Sequence, residues 1–115
     1  MSANGPMREP TYFILAALRD QPRHGYAITK RAEELSDGRV RVAAGTLYAA
    51  LDRLAATGLV RVVQEEVVNG RARRYYALTE DGDSALRAEA QRLAAAARVV
   101  IGGHGRATAG RVRTA

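Results

Sequence analysis

An Asn-Gly dipeptide at residues 69–70 stands between two runs of residues that favour extended backbone. Residues 59–68 are rich in valine, and residues 71–78 contain two tyrosines. Both types of side chain favour strands, and Asn-Gly readily adopts the positive φ angles of a type I′ turn. The sequence therefore predicts a two-stranded β-hairpin.

A two-residue turn also determines which residues of the hairpin face each other, because the strands pair outward from it. Two acids, Glu65 and Glu66, then face two arginines, and exposed pairs of this kind contribute about 0–1 kcal/mol. The predicted neighbours are Val68 with Arg71, Val67 with Ala72, Glu66 with Arg73 and Glu65 with Arg74.

Two helical segments begin the chain. Residues 11–19 follow Pro10 and are apolar on every side, which predicts a buried first helix. A second pattern begins at His24 and is amphipathic, which is typical of a helix on the surface of a core. Its apolar face consists of Ile28, Ala32 and Leu35.

The third helix is predicted from about Ala44 to just before Gly58, a natural residue for a helix end. Leucines at i, i+4 and i+7 form its buried stripe, namely Leu47, Leu51 and Leu54. The stripe leaves a second set of side chains pointing outward, namely Thr46, Tyr48, Ala49, Asp52 and Arg53.

A fourth helix is predicted from Thr79, a good N-cap residue followed by three acids, to about Ile101. It carries a seam with alternating spacings of four and three residues, made of Leu86, Ala90, Leu93, Ala97 and Val100. Such a seam favours packing on a second copy of the helix, and we place this above the alternative of packing on its own domain. The seam is the predicted homodimer interface.

Composition narrows the class of protein. The 115 residues suit one domain, which we place at 11–78, with a flexible segment 1–10, the dimerisation helix 79–101 and a disordered basic tail 102–115. The absence of cysteine excludes disulfides and thiolate zinc sites, and we expect a cytoplasmic protein without membrane spans. The two histidines, His24 and His104, have no ligand cluster around them, so we expect no metal and no cofactor; His24 is expected to cap or pack the second helix.

The order of three helices, a hairpin and a closing helix is that of a winged helix-turn-helix, whose third helix enters the major groove of double-stranded DNA. The formal charge of +6 agrees with this function. For three of the residues we keep an alternative: Thr46 caps the helix, Tyr48 packs under the hairpin, and Arg53 pairs with Asp52. The predicted DNA contacts are Arg41, Ala44, Gly45, Thr46, Tyr48, Arg53, Arg71, Arg73 and Arg74.

An enzyme and a protein-interaction module are the two alternatives to a DNA-binding protein. An enzyme would need a nucleophile with a base, or paired carboxylates, in one pocket, and no such group is gathered here, so we predict neither catalytic residues nor enzyme activity. A winged helix can also serve as a protein-interaction module without reading DNA. That alternative requires an apolar or acidic patch on the third helix, whereas Arg39, Arg41, Arg53 and Arg71 favour DNA.

Three sequence blocks at characteristic spacing resemble the PadR-like transcriptional regulators. They are Pro22-Arg23-His24-Gly25-Tyr26, Gly45-Thr46-Leu47-Tyr48 and Gly70-Arg71 with Arg74-Tyr75-Tyr76. The resemblance covers about residues 11–86, and the short carboxy-terminal region is similar to that of the small subgroup. One departure is Ala43-Ala44, where the family commonly has Ser-Pro, which removes a helix cap and a phosphate contact.

The resemblance implies a homodimeric repressor that binds a palindromic operator and uses its carboxy-terminal helix for dimerisation. Some members of the family hold flat aromatic ligands at the dimer interface. By this resemblance, Tyr12 and Phe13 are the candidate contacts for a small-molecule effector that releases the repressor.

Overall fold

The computed structural model describes residues 6–102, which form four helices and three strands. The fold is mainly helical with a small antiparallel sheet and a long carboxy-terminal helix, as predicted. The elements in chain order are α1 (Glu9–Ala16), β1 (Arg23–His24), α2 (Gly25–Leu35), α3 (Ala44–Ala56), β2 (Val60–Val68), β3 (Arg71–Leu78) and α4 (Glu80–Val100).

The chain ends lie outside the described residues. Most of the predicted basic tail, with His104, falls on residues 103–115, and half of the predicted flexible segment falls on residues 1–5. The predicted flexible segment ends too late, at residue 10, because α1 already begins at Glu9. Pro10 lies inside its first turn, where the fixed φ of proline suits a helix and the missing N–H costs nothing.

Helix α1 is short and lies in the core, with Ile14 and Leu15 buried. After Ala16 the backbone tightens into a turn, and the Leu18 N–H donates to Leu15 O at 3.0 Å. The Arg23 side chain then donates from Nε to Ala17 O at 2.8 Å. This bond satisfies a carbonyl that the ending helix leaves without a partner.

Helix α2 begins and ends as its sequence predicts, with one correction. The His24 Nδ1 accepts from the Ala27 N–H at 3.5 Å, so His24 is the N-cap. At the other end the left-handed Asp37 and Gly38 stop the helix, with φ of 60° and 84°. Leu35 is 39% exposed rather than part of the core, because it lies in the last turn.

The hairpin has the predicted turn and register. Asn69 and Gly70 both have positive φ, as a type I′ turn requires, and Glu66 pairs with Arg73 and Glu65 with Arg74. Closer to the body the register shifts between Val62 and Gln64, which marks a β-bulge. The sheet also has a third strand, β1, which pairs with β3 and gives the order β1-β3-β2.

The core lies where α1, α3 and the first part of α4 meet the base of the hairpin. The predicted stripe of α3 is buried, and α4 contributes Ala85 and Leu86. Gly82 lets α4 approach β2 closely, since a Cβ there would overlap Leu59 O and lie 2.8 Å from Leu78 Cδ1. Among residues 6–102 no helix is long and apolar enough to cross a membrane.

Candidate nucleic-acid interface

A groove opens between the start of α2, the outer face of α3 and the hairpin formed by β2 and β3, which we call the wing. It has a volume of about 520 Å³. The groove brings together four of the predicted DNA contacts, Tyr48, Arg71, Arg73 and Arg74. The other residues that line it are His24, Gly25, Tyr26, Val68, Asn69 and Ala72.

The amino end of α3 is exposed and has no side-chain cap. The N-cap is Ala43, which makes no side-chain hydrogen bond to the helix, so the alternative in which Thr46 caps α3 is wrong. Ala44, Gly45 and Thr46 are all exposed. The first N–H groups of a helix have no partner within it, so this end offers free donors together with the positive end of the helix dipole. That arrangement suits an anionic oxygen such as a phosphate.

Tyr48 lies over the start of α2. Its side chain is 47% exposed, and a Cβ on Gly25 would overlap its hydroxyl and lie 2.7 Å from its Cζ. The absence of a side chain at Gly25 therefore lets the ring settle against the backbone of α2. The phenol is held at the floor of the groove, where its hydroxyl is available for a hydrogen bond.

Arg53 and Arg41 both have exposed side chains. The Arg53 Nη1 donates weakly to Ala49 O at 3.5 Å along its own helix, and no ion pair with Asp52 is formed among the described residues. Arg41 is 75% exposed and lies 3.7 Å from Glu33. Both guanidinium groups are thus accessible and only loosely held.

The wing arginines differ in their partners. Arg71 lies exposed at the tip beside the turn. Arg74 Nε lies 3.1 Å from Glu65 Oε2, and Arg73 Nη1 lies 3.7 Å from Glu66 Oε2. A hydrogen bond to Tyr76 and the charge of Glu65 raise the pKa of Arg74 above its ordinary value. The acid–arginine pairs predicted from the register are therefore formed.

The wing is tied to α2 through His24. The Tyr75 hydroxyl donates to Glu66 Oε2 at 2.8 Å, and the Tyr75 ring packs edge-on against His24, with 5.4 Å between ring centroids. Burial and the positive charge of Arg73 lower the pKa of His24, although Glu66 opposes the shift. His24 is consequently held in its neutral form, which is the form that can cap α2 through Nδ1.

Tyr26 is a groove residue that the sequence reasoning missed. It is 68% exposed on the first turn of α2, with Lys30 Nζ 6.0 Å from its ring centroid. The sequence feature that points to Tyr26 is its position on the outward face of α2, two residues after the N-cap His24. Tyr26 adds a second phenol hydroxyl to the groove, and the Lys30 ammonium lies beside its ring.

The two residues predicted to contact an effector lie at a separate cavity of about 400 Å³ between α1 and α4. The Tyr12 and Phe13 rings pack edge-on, with 5.2 Å between centroids. Charged groups meet there as well, because Arg39 forms an ion pair with Glu9 and the buried Glu89 forms one with Arg92. The lining residues are Met7, Glu9, Tyr12, Phe13, Arg39, Glu89 and Leu93.

The predicted seam of α4 is divided between the core and the surface. Leu86 is only 4% exposed and packs in the core of its own chain, so its assignment to a dimer interface is corrected. Leu93 is 44% and Val100 87% exposed, Ala97 is exposed, and Ala90 is half-buried. Every residue of 91–100 is exposed, so the second half of α4 is covered by little of its own chain.

No group of three or more metal-ligating side chains is gathered anywhere in the described range 6–102.

Known proteins share both sequence and fold with this chain. Transcriptional regulator Rv3488 of Mycobacterium tuberculosis is 44% identical over 90 residues, which cover 78% of this chain and 80% of that protein. A PadR family transcription regulator from Clostridium difficile has the same fold, with a TM-score of 0.67 at 24% identity, covering 80% of this chain and 94% of that one.

Bacillus subtilis PadR, solved in complex with operator DNA, matches with a TM-score of 0.61 at 25% identity, covering 70% of this chain and 46% of that chain. The sequence model of the transcriptional regulator PadR-like family matches residues 14–88. That family consists of regulators and not of enzymes, in agreement with the sequence prediction. The chain belongs to the PadR-like family of transcriptional regulators.

Proposed function

We propose that the chain binds double-stranded operator DNA sequence-specifically as a homodimer in the cytoplasm, and that it represses transcription until a small molecule releases it. One observation carries the DNA part of the proposal: Tyr48 of α3 and the arginines of the wing line one open groove, and the amino end of the same helix is exposed without a side-chain cap. The relative from Bacillus subtilis, whose structure was solved with operator DNA, supports this function for the same fold.

Helix α3 is the element proposed to enter the major groove. The free N–H groups at Ala44, Gly45 and Thr46 would bind a phosphate at the edge of the groove, and the Tyr48 hydroxyl would donate to another. Arg53 lies further along α3 and can reach a guanine edge or a phosphate. The sequence contacts therefore come from α3, and the wing with Arg71 adds contacts to the backbone.

A palindromic operator follows from the proposed dimer. The exposed second half of α4 ends in Val99, Val100 and Ile101, which are 84%, 87% and 68% exposed in the single chain. Together with Leu93, such a series of apolar side chains favours burial against a second copy. A two-fold dimer would present its two α3 helices to half-sites ~34 Å apart, one turn of B-DNA.

The proposed effector site is the cavity at Tyr12 and Phe13. Its two aromatic rings suit a flat aromatic molecule, and Leu93 connects the cavity to the exposed face of α4. A ligand there would act on the dimer and thereby on the spacing of the two α3 helices. Isothermal titration with candidate aromatic compounds tests this part, and a Phe13→Ala variant that binds them as well as the wild type would contradict it.

The DNA function is tested by selecting duplexes from a random library with the purified protein and measuring affinity for the selected and a scrambled duplex. Selection of a palindrome at near-physiological salt is the expected result. Arg71→Ala should weaken binding to both duplexes, whereas Arg53→Ala should also change the preferred bases. If no duplex is enriched, the chain is a protein-interaction module and the proposed function fails.

A further inference from the structure

The wing carries two carboxylates among its arginines, one on each face of the hairpin. Glu65 and Glu66 are adjacent on β2, where successive side chains alternate between faces, and they are opposite Arg74 and Arg73 on β3. A wing whose only task is to attract phosphates gains nothing from acids at these positions, because each one repels the DNA backbone. Two of the four wing arginines, Arg73 and Arg74, are occupied by these acids before any DNA arrives.

Both pairs are exposed enough to open. The side chains of Arg74 and Glu65 are 55% and 59% exposed, and those of Arg73 and Glu66 are 38% and 36% exposed. Ion pairs in contact with water contribute little net stability, so a phosphate that is correctly placed can displace the carboxylate. A phosphate that is poorly placed cannot offset the loss of the pair and the nearby negative charge.

Both carboxylates stay on the wing when the arginines leave. The type I′ turn and the paired strands fix the backbone register of both acids. Glu66 is held further by the Tyr75 hydroxyl, whose ring rests on His24 at the start of α2. A negative charge therefore remains at the wing in the bound state as well as in the free state.

We propose that Glu65 and Glu66 are specificity-determining residues that lower the affinity of the wing for unmatched DNA. On unmatched DNA the wing is the main contact. Its arginines must then break their ion pairs with Glu65 and Glu66 without the free energy of an α3 that is seated in the major groove. On the matched operator α3 seats in the major groove and holds the phosphate backbone against the wing, which makes the exchange favourable. The inference rests on the proposed DNA function.

Glu65→Gln tests the inference with a matched control, Glu34→Gln. Glu34 lies 3.0 Å from Arg31 on α2 and its side chain is 60% exposed, so both variants remove one charge from an exposed pair of similar length. Glutamine keeps the size and hydrogen-bonding oxygen of the side chain. Thermal unfolding of each variant shows that the fold is intact, and affinities are measured on the selected and the scrambled duplex.

Glu65→Gln is expected to raise affinity for the scrambled duplex by up to about 5-fold, with a smaller rise on the selected duplex. The salt dependence on the scrambled duplex should steepen by about 0.9 for each new phosphate contact. The double variant E65Q/E66Q should raise affinity for the scrambled duplex more than Glu65→Gln alone. Glu34→Gln should leave the ratio of the two affinities unchanged.

The inference would be overturned if Glu65→Gln raised affinity equally for both duplexes. It would also be overturned if the ratio of the selected-duplex to the scrambled-duplex affinity were the same in Glu65→Gln and Glu34→Gln. Either result would leave the proposed DNA function standing. If the wild type enriches no duplex at all, the proposed function fails, and this inference fails with it.

Discussion

Gly25 and Tyr48 show how one missing side chain positions another. They lie on different helices, yet the Tyr48 ring occupies the space that any Cβ at residue 25 would need. The atoms in conflict are at the far end of a flexible side chain, so a larger residue would displace the phenol and leave the backbone in place. Gly25 thus acts on the groove through Tyr48.

Gly25→Ala should therefore weaken DNA binding without unfolding the chain. We expect affinity for the selected duplex to fall about 3- to 10-fold, the value of one hydrogen bond, with a melting temperature close to that of the wild type. Adding Tyr48→Phe to Gly25→Ala should cost little more, because both changes remove the same contact. Full additivity of the two losses would show that Gly25 acts independently of Tyr48.

His24 makes the stability of α2 sensitive to pH. Burial and Arg73 hold its pKa below the ordinary value of 6.5, while Glu66 faces it with the opposite effect. The folded chain thus binds fewer protons than the unfolded chain in this range. The contribution to the free energy of unfolding is complete above 6.5 and is lost as the pH falls from 6.5 through the folded-state pKa.

Thermal unfolding at about pH 8 and about pH 5.5 should consequently show a loss of stability in the wild type that His24→Asn reduces. Asparagine keeps an N-cap oxygen but does not titrate, so it separates protonation from loss of the cap. Equal pH dependence in both proteins would assign the effect to other groups.

At the scale of elements, the junction between β2 and α4 sets the direction in which α4 leaves the body. The Thr79 hydroxyl donates to Gly58 O at 2.6 Å and accepts from the Gly82 N–H at 2.9 Å. The Thr79 N–H donates to Leu59 O at 3.1 Å. Since the neighbour of Gly82 is backbone, a side chain there cannot be accommodated by a rotamer change.

Gly82→Ala should reduce the free energy of unfolding by roughly 1–3 kcal/mol, because α4 must shift away from Leu59. Gly45→Ala is the matched control, since nothing lies within 4 Å of a Cβ there. Helix propensity predicts that this control gains up to about 1 kcal/mol. Chemical denaturation measures both, and two variants of equal stability would refute the close packing at Gly82.

At the scale of the whole molecule, the single chain leaves the second half of α4 largely exposed. Its large apolar side chains, Leu93, Val99 and Val100, are all exposed, and alanine and polar or charged residues lie between them. A homodimer through this half of α4 would bury them.

Leu93→Glu should convert the proposed dimer to a monomer, because it places a charge in the proposed seam. Gln91→Glu adds the same charge on the opposite face of α4 and should leave the dimer intact. Light scattering after size exclusion measures the masses. Loss of the second half-site should also lower operator affinity on the order of 100-fold for Leu93→Glu alone. A dimeric Leu93→Glu protein would exclude α4 as the interface.

Local patterns in the sequence were sufficient for most of the elements. The Asn-Gly turn specified the hairpin and its register, Thr79 and His24 specified two helix starts, and the leucine stripe specified the buried face of α3. Each of these features depends on residues within a few positions of one another. The strand β1 was missed because two residues carry no period, and its pairing with Tyr75 and Tyr76 is a long-range contact.

The sequence by itself determined the order of helices and strands, the basic wing and its acid–arginine pairs, because turns, caps and cross-strand neighbours follow from local geometry. The tertiary structure decided which apolar residues of α4 belong to the core, assigning Leu86 to its own chain and leaving Leu93 exposed. It also brought Tyr26, Gly25 and Tyr48 to the same groove as the wing. A helical repeat shows that a face is apolar, but only the packing of distant segments determines what covers that face.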